Sequence, residues 1–237
     1  MAYASTLLWV LAVGCGRIGF DAVGDGGVPA AVAWTAVFVQ HEAGTGVVDT
    51  FTTHAIAAGD AIVFEVSCST TLAAPTALSV SAPGWTFAQI GALSGSVAAQ
   101  RYIASFGAIA PDTANVSITV TWTTASCDIG RTEIGDEFAN ADPTGGTVTF
   151  DGHTEATGTG NCQATVTTGH DRDAVWGACI SAGAVSGVGP GFTKTGDDGT
   201  GNWSEYRLTT DPGGTAEAVT FTNTTAYALA AMTIKPR

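Results

Sequence analysis

Residues 115–122, NVSITVTW, decide how the chain is read. Val116, Ile118, Val120 and Trp122 fall on one face of an extended segment, and Ser117, Thr119 and Thr121 fall on the other, which is the pattern of a half-buried β-strand. Working outward, similar strands are expected at about 34–41, 61–68, 84–90, 97–106, 131–138, 146–151, 162–168, 174–181, 203–209, 216–223 and 226–235. Gly, Pro, Asn and Asp turns separate them, and few stretches show a helical period. Many short strands with regular turns predict an all-β fold, an antiparallel β-sandwich of jelly-roll type.

Composition agrees. Hydrophobic residues make up 45% of the chain and charged residues only 12%, the reverse of a disordered composition. The formal charge of −13, with eight Lys+Arg against 21 Asp+Glu, repels nucleic-acid phosphates, so nucleic-acid binding is excluded.

The two halves echo each other. GDAIVFEVSCS, PGWT, QRYIAS and ANVSITVTW are followed in the same order by RDAVWGACIS, PGFT, SEYRLT and AEAVTFTNT. Asp60 answers to Asp173, Pro83 to Pro190, Tyr102 to Tyr206 and Val116 to Val219, a degenerate repeat with an offset of roughly 105 residues. Repeat halves of about 31–128 and 129–237 either close one larger sandwich or form two in tandem. The crossover 130–153 still alternates and carries no linker composition, which favours one domain over 31–237. The pattern resembles β-sandwich modules of bacterial surface and secreted proteins whose activity is uncharacterised.

The N-terminus carries an address. Thr6 to Gly14 is apolar for about nine residues, too short to span a membrane but right for the core of a secretory signal. LAVGC at 11–15 resembles the lipobox of bacterial lipoproteins. That resemblance implies a signal peptide over 1–14, lipid attachment at Cys15, and an exported protein held at the cell envelope by its N-terminal lipid. Gly16 in place of Asp implies the outer membrane. An ordinary secretory signal and a buried first strand are the alternatives. The Gly- and Asp-rich stretch 15–30 reads as a flexible tether.

Four further cysteines, Cys68, Cys127, Cys162 and Cys179, predict two disulfides in an exported chain. A hairpin turning at 169–172 sets Cys162 opposite Cys179, leaving Cys68 for Cys127. The rival pairing joins Cys68 to Cys179, which occupy equivalent strands of the repeat.

No catalytic motif is present: there is no GxSxG elbow, HExxH, P-loop or dinucleotide fingerprint. His41, His54, His153 and His170 are scattered, although a Ser-His-Asp set is assembled by the fold and not by spacing. Glu133, Asp136 and Glu137 share one expected strand, where a solvated edge or an ion pair with Arg131 is the simpler reading than a glycosidase pair. The loop 195–206, TGDDGTGNWSEY, is the best ligand candidate. Asp197, Asp198 and Asn202 offer oxygen ligands to calcium, and Trp203 and Tyr206 offer sugar-stacking faces, whereas a plain Asp/Gly turn before a core strand explains the same residues. Trp85 and Phe192 fill equivalent turns and are expected to pack. These features together predict a non-enzymatic envelope protein with a structural, adhesive or partner-binding role. A carbohydrate-binding module, calcium-assisted, and a secreted hydrolase are the rivals. The expected partner is a glycan or a surface protein.

Overall fold

The computed structural model describes residues 30–97, 100–143 and 150–237. The expected signal 1–14, Cys15, nearly all of the 15–30 tether and most of the strand expected at 146–151 lie outside the described residues. The described residues form strands β1 (Ala33–Ala43), β2 (Val48–Ile56), β3 (Ala61–Ser69), β4 (Ala77–Ser81), β5 (Ala88–Ser96), β6 (Arg101–Ile109), β7 (Ala114–Thr123) and β8 (Gly130–Ala139). They continue with β9 (Phe150–Thr159), β10 (Cys162–Thr167), β11 (Ala174–Ser181), β12 (Thr193–Asp197), β13 (Trp203–Leu208), β14 (Ala216–Phe221) and β15 (Ala226–Ile234). Every pairing is antiparallel.

Four sheets stack as layers. β2-β7-β4 covers one face of β1-β8-β3-β6-β5, and β10-β14 covers one face of β12-β13-β11-β15-β9. The alternation of NVSITVTW is realised in β7, whose Val116, Ile118, Val120 and Trp122 are buried against Ile62, Phe64, Val66 and Phe106. In the second sandwich Val166, Val219 and Phe221 close over Val175, Leu229 and Ala231. A third apolar cluster lies between the two five-stranded sheets, where Ala61, Val63, Ile103, Ile134 and Phe138 meet Trp176, Ile180, Ala230 and Met232. We call this layer the seam. Because the seam covers the second face of each five-stranded sheet, β3 and β11 are buried along their whole length. That double burial explains why AIVFEVSCS and AVWGACIS read as nearly continuous apolar runs.

Strand orders correspond between the sandwiches: β1-β8-β3-β6-β5 follows the same succession as β9-β15-β11-β13-β12. An isolated bridge between Gly187 and Thr222 stands where β4 pairs with β7. β8, drawn from the stretch 129–237, completes the sheet built by 31–128, between β1 and β3. Its acids are therefore not on a solvated edge: Glu133 and Asp136 are fully buried and Glu137 nearly so.

Both disulfides join the expected partners, Cys68 to Cys127 and Cys162 to Cys179, with Cα separations of 5.2 and 6.3 Å. The hairpin argument for the second pair does not hold. β10 pairs with β14 and β11 with β13 and β15, so Cys162–Cys179 ties one sheet to another. Two disulfides suit an oxidising, exported setting. They close loops of different length, with separations of 59 and 17 residues. In urea unfolding, Cys68→Ser/Cys127→Ser should cost about 1 kcal/mol more than Cys162→Ser/Cys179→Ser, because the longer loop restricts the unfolded chain more.

Candidate functional site

A concave site with a polar lining lies at one end of the seam, where strand ends from both sandwiches meet. A cavity of about 180 Å³ is lined by His41, Ser69, Arg101, Thr132, Thr200 and Asn202, with Ile129, Gly130, Ser181 and Ala182 completing it. Ser69 follows directly on Cys68 at the end of β3, and Ser181 ends β11 two residues after Cys179. Each disulfide thus braces a strand end that forms the wall. Such bracing holds polar groups in place before a ligand arrives, which reduces the ordering cost of binding.

One side of the cavity is a closed hydrogen-bond network. Asp198 Oδ1 accepts from the backbone N–H of Thr200 (2.8 Å) and Asn202 (3.0 Å). Its Oδ2 accepts from the hydroxyls of Thr200 (2.7 Å) and Thr132 (3.0 Å) and from the Asn202 amide. Burial raises the Asp198 pKa, but these donors outweigh it and hold the carboxyl below its usual range. Asn202 Oδ1 in turn accepts from the Ser181 N–H at 2.9 Å, which fastens the 195–206 loop to β11.

His41 Nδ1 lies 2.9 Å from Thr132 Oγ1. Since the Thr132 hydroxyl spends its one proton on Asp198, His41 Nδ1 is the donor in that contact, and Asp198 Oδ2 lies 3.5 Å from the same nitrogen. The order imidazole–hydroxyl–carboxylate differs from a catalytic triad, where the imidazole sits between the other two. The Thr132 hydroxyl is therefore not activated by His41.

Arg101, at the start of β6, supplies the opposite side. Its Nε donates to Ser181 O (3.4 Å) and its Nη1 to Gln100 O (3.1 Å). Burial lowers its pKa from the ordinary arginine value, though a guanidinium stays charged at any physiological pH.

The 195–206 loop therefore contributes to the site, through Asn202, which its sequence suggested, and through Thr200, which it did not. Asp197 is ion-paired to Lys194 at 2.6 Å and accepts from Gly199 N–H. Asp198 and Asn202 are engaged as described, and among the described residues no group of three or more His, Cys, Asp or Glu is placed to hold a metal ion. Trp203 packs in the second sandwich, with Lys194 Nζ 3.5 Å above its ring. Tyr206 stacks on Trp34 at 5.5 Å and packs against the seam. Neither aromatic ring lines the cavity. Trp85 and Phe192 pack, as expected: Trp85 stacks on Phe87 and Phe192 joins the second core.

Other acids and histidines pair with one another or with Arg131 within the fold. Arg131 reaches Asp49 at 3.3 Å, and burial, then the Asp49 charge, push Glu133 up to about 9 against the opposing pull of Arg131. His54 Nε2 meets Glu137 Oε2 at 2.6 Å, and His153 lies 3.4 Å from Glu155. Sequence spacing gave no signal for Ser69, Arg101, Thr132 or Ser181, because each belongs to a different strand. No protein-family model matches this chain, and neither a curated protein nor a solved structure matches it, so the site's own geometry is the ground for any functional reading.

Proposed function

We propose that this chain is a non-enzymatic binding module of the bacterial cell envelope, exported, tethered through a lipid on Cys15 at the outer membrane, and using the seam cavity to hold a saccharide. The observation that carries the reading is the lining of that cavity. Ser69, Thr132, Thr200, Asn202, His41 and Arg101 all line one small space. Sugars present alternating donors and acceptors that such a lining can satisfy. At about 180 Å³ the cavity falls below the range of sites for drug-sized ligands, which selects a single sugar unit, such as a chain end or branch. A rigid, disulfide-braced body with its contacts at strand ends and loops fits a role in adhesion or surface binding.

Retention on immobilised envelope polysaccharides tests the reading. Ala182 is exposed at the cavity rim, so Ala182→Trp should fill the space without disturbing the core. The expected result is loss of retention with an unchanged melting temperature; retention equal to that of the parent protein would remove the cavity from the account. The tether has its own test in the intact mass of protein recovered from a bacterial membrane fraction. It should begin at Cys15 and carry acyl chains, whereas an unmodified chain in the soluble fraction would overturn the envelope address.

A further inference from the structure

We propose that the seam cavity selects an acidic sugar, binding its carboxylate through Arg101. This rests on the cavity being the ligand site and goes beyond it by naming the ligand's charge.

In a chain this rich in acids, a cation has many carboxylates to choose from, and four Lys and Arg side chains among the described residues are paired with one. Arg131 pairs with Asp49, Lys194 with Asp197, Arg207 with Asp211 and Glu217, and Lys235 with Asp142. Arg101 has no carboxylate within ion-pair distance among the described residues. Its charge is answered by two backbone carbonyls, and no hydrogen bond to Nη2 is found among the described residues. Leaving a half-buried guanidinium without a counter-charge costs stability unless something repays it. A planar fork of N–H donors at the wall of a cavity suits a carboxylate, which it engages in a bidentate fashion.

Asp198 is turned away into its own network, where Thr132, Thr200 and Asn202 consume its oxygens. It therefore does not fill the space before Arg101. The groups left to face a ligand are the guanidinium, the His41 Nε2 and the Ser69 hydroxyl. A carboxylate on Arg101, with ring hydroxyls on His41 and Ser69, is what a uronic acid offers and a neutral hexose lacks.

The test is calorimetric titration of the full chain with glucuronate, glucose and inorganic sulfate, on the parent protein, Arg101→Gln and Arg101→Lys. Glucuronate should bind at least about tenfold more tightly than glucose, the fold-change expected of one charge-assisted hydrogen-bond pair. Arg101→Gln should erase that preference, and Arg101→Lys should keep part of it. Equal binding of the two sugars, insensitive to Arg101, would overturn the acidic-sugar assignment and leave the saccharide site standing. Arg101-dependent binding of sulfate without glucuronate would also overturn it, in favour of a free inorganic anion. No binding of any probe would overturn both readings.

Discussion

Replacing Asp136 by Ala should destabilise the protein by about 3–5 kcal/mol, read from urea unfolding, because this one carboxylate joins the two sandwiches. Asp136 projects from β8 into the seam and is fully buried. Trp34 Nε1 donates to its Oδ1 at 2.7 Å, and its Oδ2 accepts from Trp176 Nε1 (2.6 Å), Thr195 Oγ1 (2.9 Å) and Ser204 Oγ (3.1 Å). Three of those donors belong to the second sandwich. Removing the acceptor orphans two indole N–H groups in an apolar layer, each costing about 1–3 kcal/mol, while the hydroxyls can still bond each other. Asp136→Asn should cost less, since one oxygen remains, although its amide N–H₂ then faces donors. Trp34 and Trp176 fluorescence should shift to the red as the seam admits water. A loss below about 1 kcal/mol for Asp136→Ala would mean that this contact does not hold the layers together.

Stability should also fall as pH rises from about 5 to about 8.5, by at least about 5 °C in melting temperature. Burial pushes Asp136 up to about 6 despite its four donors, and pushes Glu205 up to about 7 against the N–H groups of Gly189 and Thr220. Glu65, under both sheets, is held well above the usual carboxylate range by burial and then by the charge of Glu155. For an acid whose folded pKa is raised, the stabilising contribution is complete below the unfolded value and is lost as pH rises through the folded one. At 1.36 kcal/mol per unit, the part lost above pH 5 is about 1.4 kcal/mol for Asp136 and about 2.5 kcal/mol for Glu205. His153, lowered by burial, works in the opposite direction as pH falls through its unfolded value. Asp197 and Asp198, both lowered, withdraw their support below about pH 4, which places the optimum near pH 5. Glu205→Gln should flatten the slope between about pH 5 and 8.5; an unchanged slope would remove Glu205 as a source.

Most strands were legible because a sheet with one apolar and one wet face writes its period into the sequence, as in β7. β2 was not expected, since two of its inward positions are Asp49 and Thr53, and polar residues pointing inward hide the alternation. β12 is short and partly exposed, and nothing marks it apart from its turn. The expected strand at 84–90 merged the turn at Gly84 with the start of β5. The burial of the β8 acids was invisible because β8 pairs with β1, roughly a hundred residues away, and long-range pairing is not encoded in local spacing. The same reason hid the cavity. Only its 195–206 wall stood out in the sequence, and of the residues named there Asn202 lines the cavity while Trp203 and Tyr206 do not.

The measurement that bears most directly on the whole account is a map of amide and side-chain N–H shifts in the ¹⁵N-labelled full chain on titration with glucuronate. The account predicts movement at Gly130, Thr132, Thr200 and Asn202 and at the Arg101 Nε–H, with the Trp203 indole unmoved. Movement at the Trp203 indole and Lys194 with those signals unchanged would contradict it, placing the ligand on the aromatic face of the loop instead of in the seam.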